Sequence, residues 1–189
     1  MSAQFPGTAL GILELSSISR GVFVVDTMAK RAPVSILQNH PSSPGKHLIV
    51  ISGGVAEVEE SMAAGVAAAR TSLVDRLFLP QAHPTLAPLV AGETISPRPS
   101  LDAVGIVETQ TACAAVLGAD ASAKAAQVTL LDMRLCLGIG GKGYFTMTGP
   151  LEDIEAALVS AQGVVESGLI VGTEVIANPH EDLHRRLFW

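Results

Sequence analysis

The stretch Ala9–Leu37, ALGILELSSISRGVFVVDTMAKRAPVSIL, returns at Ala103–Leu131 as AVGIVETQTACAAVLGADASAKAAQVTLL. At this offset of 94, 11 of 29 positions are identical, among them Gly11/Gly105, Glu14/Glu108, Asp26/Asp120, Lys30/Lys124 and Val34/Val128. A two-residue insertion in the second copy then moves the offset to 96, aligning Gly45-Lys46 with Gly141-Lys142 and Gly53 with Gly149. Towards the end of each copy His83 matches His180 and Leu86 matches Leu183. A period this long, present only twice, is duplication of a whole small domain and not a solenoid. The copies span residues 9–92 and 103–189, and residues 93–102, rich in Pro and Ser, read as the linker. Two like domains in one chain can alternate around an axis, so that three chains imitate a ring of six.

Each copy reads as α+β. Ala9–Leu15 and Ala103–Thr109 are short apolar, strand-like runs. The helix that follows places Ile18, Val22, Val25 and Ala29 on one face, with Ser16 or Ser17 as its N-cap. Val34–Leu37 and His47–Ser52 read as strands joined by a loop over 38–46, which contains Pro, Ser and Gly. A second helix begins after Gly53-Gly54. Its positions Val55, Val58, Met62 and Gly65 match Leu151, Ile154, Leu158 and Ala161, so the face is kept while the residues change. Leu73–Leu79 and Leu169–Ile176 are final strands. The order β-α-β-β-α-β plus a C-terminal segment is the ferredoxin-like split arrangement, repeated in tandem. It predicts antiparallel sheets with helices on one face and the other face free for partners.

Composition narrows the function. The 189 residues are 48% hydrophobic, 16% charged and only 4% aromatic, with formal charge −6. Small side chains bury little area per residue, and two domains of this size are only modestly stable alone, so the apolar excess points to oligomeric interfaces. The acidic balance argues against nucleic acid. No run of 18 apolar residues or basic-then-apolar start is present, which leads us to expect neither a membrane span nor a secretory signal. Cys113 and Cys136 form no Cys-x-x-Cys pair, so a cytoplasmic setting with reduced thiols is expected.

No catalytic constellation emerges. The run Gly138-Ile-Gly-Gly-Lys-Gly143 lacks the Gly that a phosphate loop places ahead of Gly-Lys with four residues between, and the Ser or Thr after it. It reads instead as a tight inter-strand loop, and its first-copy counterpart Pro41–Lys46 ends in the same Gly-Lys. No Gly-x-Ser-x-Gly turn or His-Glu-x-x-His helix exists. No enzyme activity, cofactor or metal is expected. Lys30 and Lys124 stand at the same helix end in both copies, a repetition that a merely solvated charge does not need.

The patterns Ala-Leu-Gly-Ile-Leu-Glu, Asp-x-x-x-Lys-x-Ala-x-Val and Gly-Lys-x-x-x-x-x-x-Gly resemble the bacterial microcompartment (BMC) shell domain. Their appearance twice in unpermuted order resembles the tandem-domain, trimeric shell proteins of that family. The resemblance implies a homotrimer that imitates a hexamer and tiles with hexameric and pentameric shell proteins into the facet of a bacterial microcompartment. It implies a narrow, polar central pore for small metabolites, formed by Ser42, Ser43, Pro44 and Gly45 alternating with Gly138, Ile139, Gly140 and Gly141. It also implies a tile edge carrying Lys30, Lys124, Asn178, His83 and His180. Asn178 stands where the family's edge contact uses Arg, and the first copy reads Pro80-Gln-Ala-His83. The tandem shell subunit of propanediol-utilisation microcompartments carries a pore cysteine before Pro-Gly-Lys that can hold an iron–sulfur cluster. Ser43 stands there in this chain, and a hydroxyl is a poor ligand for such a cluster. The alternative reading is a trimeric, small-molecule-binding regulatory protein of ferredoxin-like fold.

Overall fold

The computed structural model describes residues 7–93 and 102–183. Most of the proposed linker, residues 94–101, and residues 184–189 lie outside the described residues. Two compact units result. The first takes the chain up to Ala91 together with Cys136–Gly141, and the second takes Gly92–Leu135 and the chain from Lys142 onward.

The first repeat runs β1 (Ala9–Leu15), α1 (Ile18–Arg31), β2 (Ser35–Ser42), β3 (Lys46–Gly53), α2 (Val55–Ala69), a short 3-10 turn, β4 (Leu73–Leu79) and the short helix α3 (Leu86–Val90). The second runs β5 (Ala103–Thr109), α4 (Ala112–Ala125), β6 (Thr129–Leu135), β7 (Gly143–Gly149), α5 (Leu151–Val164) and β8 (Ile170–Ile176). The sheets have orders β2-β3-β1-β4 and β6-β7-β5-β8, and all pairings are antiparallel. This is the tandem α+β arrangement expected, with the first strand of each repeat at the sheet centre.

Local chemistry explains the element ends. Ser17, extended at φ −139°, caps α1 by accepting from the Arg20 N–H at 3.3 Å, and Thr111 caps α4 from the Ala114 N–H at 3.1 Å. The loop expected over 38–46 shrinks to Ser43-Pro44-Gly45, because β2 continues through Pro41 to Ser42. Pro41 is tolerated there since β2 is an edge strand, where a missing N–H need cost no ladder bond. In the second repeat the loop is longer, from Cys136 to Lys142, which accommodates the two-residue insertion.

Two packing expectations need correction. The buried stripe of α1 is Gly21, Val24, Val25 and Met28, whereas Ile18, Val22 and Ala29 are exposed, so the apolar face chosen from periodicity is rotated away from the core. An Ile/Val-rich helix offers two apolar stripes, and the core took the one that meets Leu13, Ile49 and Met62. The sheet face opposite the long helices is not free along the central strands. Leu10, Ile12, Leu48 and Val50 are at most 1% exposed, and α3 lies against β2 with Leu86, Leu89 and Val90 buried. In α2 and α5 the shared positions Val58, Met62, Gly65 and Ile154, Leu158, Ala161 are buried as expected, while the first-turn residues Val55 and Leu151 are exposed.

Candidate functional site: hairpin loops and helix-end lysines

The hairpin loops are built on glycines at positive φ: Gly45 at 102°, Gly138 at 73°, Gly140 at 68° and Gly141 at 79°. Side chains other than Gly are disfavoured there, yet Cys136 also adopts φ 64° at the start of its loop. Ser42, Ser43, Pro44 and Gly45 share one open depression of about 430 Å³ with Leu137, Gly138, Pro41 and Ile18. Of the eight expected pore residues, Ser42, Ser43, Pro44, Gly45 and Gly138 line this depression and Ile139, Gly140 and Gly141 do not. Ser43, Pro44, Gly45, Gly138 and Gly140 are exposed and Ile139 is half-buried. Ser42 and Gly141 are buried. A Cβ at Gly141 would come within 2.7 Å of the Ser43 carbonyl oxygen, so this glycine serves close backbone packing. Leu137, half exposed, was missed by the sequence reading and adds an apolar side chain beside the loop.

The lysine that ends each Gly-Lys pair does not project a free charge. Lys46 Nζ lies 3.3 Å from Glu14 Oε2, and Lys142 Nζ lies 2.7 Å from Glu108 Oε1. The glutamates come from the central strands and the lysines from the neighbouring strand or its entry, so the sheet register sets both pairs. Each pair neutralises its charge beside the loop. The repeat keeps Glu14/Glu108 and Lys46/Lys142 in both copies, but no sequence pattern paired the glutamate with the lysine.

The helix-end lysines are likewise paired. Lys30 Nζ binds Asp26 Oδ2 at 2.7 Å and Lys124 Nζ binds Asp120 Oδ2 at 2.6 Å, one helical turn apart. Lys30 and Asp26 are largely exposed at 75% and 55%, whereas Asp120 is only 7% exposed under a half-exposed Lys124. The acid thus aims the lysine, which the duplication of Asp-x-x-x-Lys signalled. Asn178 and His180 are exposed, and His180 Nδ1 lies 3.6 Å from Asp182 Oδ2. His83 is half-buried, with Nδ1 at 2.8 Å from Thr85 Oγ1, so the two matched histidines sit in different settings.

Below the first loop, His47 is buried and its Nε2 lies 2.7 Å from Asn39 Oδ1, while its Nδ1 has no partner. Burial, and secondarily the charge of His40, holds its pKa below the ordinary value.

Two matches to the BMC domain model, over residues 9–82 and 103–179, coincide with these two sheets and their helices. The chain belongs to the BMC-domain family. It is a tandem BMC protein, similar to the bacterial microcompartment shell protein PduT of Citrobacter freundii, with 39% identity over 95% of this chain and 97% of the relative. It is also similar to a solved microcompartment protein of Desulfitobacterium hafniense, with 36% identity, TM-score 0.86, and coverage of 94% of this chain and 98% of that one. A fused, permuted hexameric shell protein from the RMM microcompartment shares the fold at 19% identity, TM-score 0.61 and 82% coverage of each chain. The BMC protein described here has a structural role in the shell of a bacterial microcompartment, and the regulatory alternative is not favoured. No described helix is long and apolar enough to cross a membrane.

Proposed function

We propose that three copies of this tandem BMC protein close into a pseudohexameric ring that tiles with other shell proteins, hexameric and pentameric. Its role is structural and not catalytic. Lys30 and Lys124, with His83, Asn178 and His180, lie at the tile edge. The two hairpin loops surround a narrow, uncharged central passage for small metabolites. It is lined by Ser43, Pro44, Gly45, Gly138 and Gly140, with Leu137 beside them, and Ser42, Ile139 and Gly141 back that lining. Ser43 in place of a pore cysteine leaves no thiolate for an iron–sulfur cluster.

The observation that carries the ring is a difference between two helices of common origin. On α4, Ala112 and Val116 are fully buried; their equivalents on α1, Ile18 and Val22, are 43% and 55% exposed, with Phe23 at 54% beside them. A bare apolar stripe on α1, at positions that are buried on α4, is a surface that a partner subunit would cover. Covering it fits an obligate interface of more than about 2,000 Å² per pair of chains. Light scattering should give three times the 19.5 kDa chain mass, and concentrated protein should form sheets or tubes by negative-stain microscopy. A monomer at micromolar concentration overturns the ring, and discrete trimers without sheets overturn the tiling.

A further inference from the structure

The two glutamate–lysine pairs carry the same charges and differ in cover, and Glu14 also faces Asp75 across β1–β4 where Glu108 faces Gly172 across β5–β8. Within the first unit, loop 136–141 closes over the Glu14–Lys46 pair. The Glu14 side chain is fully buried and Lys46 is 21% exposed. Lys46 Nζ also donates to the Gly141 carbonyl oxygen at 3.4 Å, and the Cys136 thiol points at Glu14 Oε2 across 3.9 Å. The Glu108–Lys142 pair of the second unit has side chains 42% and 39% exposed.

The residues that would cover it are identified by register. Ser42 faces Lys46 across the first hairpin, and Leu135 faces Gly143 across the second, so the next residue, Cys136, falls opposite Lys142. Ser42 is therefore the counterpart of Cys136, and Gly45 of Gly141. Both counterparts look unfinished. Ser42 Oγ is buried without a hydrogen-bond partner, in a residue 93% buried. A Cβ on Gly45 would meet nothing within 4 Å, whereas one on Gly141 would meet Ser43, Pro44 and Lys46.

We propose that the Ser42–Gly45 loop of a second copy of this chain closes over Glu108–Lys142, as loop 136–141 closes over Glu14–Lys46. Lys142 Nζ then donates to the Gly45 carbonyl oxygen of the second copy. The Ser42 hydroxyl of that copy turns to donate to the Glu108 carboxylate. The loop brings no charge, so the pair stays neutral, and the two new hydrogen bonds offset the cost of drying it. This contact rests on the ring reading above and names where the ring closes.

Amine-acylation footprinting of the full chain tests it, with Lys46 as the covered reference and Lys30 as the open one. The Val22→Asp/Phe23→Asp chain, whose charged stripe opposes ring closure, supplies the unassembled state. In the assembled protein Lys142 should lose labelling to the level of Lys46, and in the unassembled chain it should regain it. Lys142→Gln and Ser42→Ala should each raise the concentration of half-assembly by about tenfold, the cost of one such bond at ~1.4 kcal/mol. Ser42→Cys, which copies the second repeat, should assemble as the parent does. A trimer whose Lys142 labels as in the unassembled chain overturns the contact and leaves the ring intact. Protection that appears only on adding a different shell protein overturns the second copy as the occupant. A parent chain that never assembles overturns the ring, and the contact with it.

Discussion

His47 packs directly on Gly21: a Cβ built on that glycine would stand 2.2 Å from the imidazole Cγ. Leu15 pairs with His47 in the first sheet as Thr109 pairs with Gly143 in the second, so the aligned position opposite α4 is Gly143. There the sizes are exchanged. The helix carries Ala115, and a Cβ on Gly143 would come within 2.7 Å of its Cβ. Each repeat fits a helix against the same strand position by making one partner glycine, but on opposite sides of the contact.

Gly21→Ala should therefore destabilise the chain by about 1–3 kcal/mol through overpacking against the ring. Combining it with His47→Gly restores the size pattern of the second repeat, and the double variant should lose less than the sum of the singles. Denaturant melts of the four-member cycle measure this, and strict additivity would show that the two sites are independent.

The buried His47 makes stability fall in acid. Its folded pKa lies below the ordinary value of 6.5, so the unfolded chain binds the extra proton first as pH drops. Its contribution is fully present above pH 6.5, declines as pH falls below it, and levels off once the lowered folded value is passed. Thermal melts at stepped pH should show this decline, and His47→Leu should flatten that part of the profile. An unchanged slope would assign the effect to another group.

Reversing the charge at both helix ends tests the tile edge. Lys30→Asp/Lys124→Asp places each new carboxylate beside the Asp26 or Asp120 that now holds the lysine, so like charges face each other one turn apart. Sheets seen by negative stain should disappear while light scattering still reports the trimer. Persisting sheets would make both lysines simple surface charges.

Ser43→Cys tests the passage. Ser43 is exposed on a three-residue turn, so three copies around an axis would bring three thiols together. Anaerobic reconstitution with iron and sulfide should then give bound iron and visible absorption that the parent chain lacks. Absence of both in an assembled trimer would remove Ser43 from the axis.

Much of this molecule was readable from the chain alone because duplication filters sequence by function. Positions such as Glu14/Glu108, Asp26/Asp120 and Gly45/Gly141 survived in both copies, and each has a definite geometric task. Element order follows from short-range patterns that adjacent residues encode, whereas the extent of β2, and with it the short loop Ser43-Pro44-Gly45, is set by its pairing with β3. What periodicity left open was which of two apolar stripes on α1 enters the core, since Ile18–Val22 and Gly21–Val25 both satisfy a helical face. That choice depends on the side chains across the gap, Leu13, Ile49 and Met62, which no local window contains. The partners of Lys46 and Lys142 were equally hidden, because each ion pair spans more than thirty residues and exists only through the register of two strands. The unequal burial of those two like pairs is decided by what lies over them, a property of the folded surface with no local sequence signal.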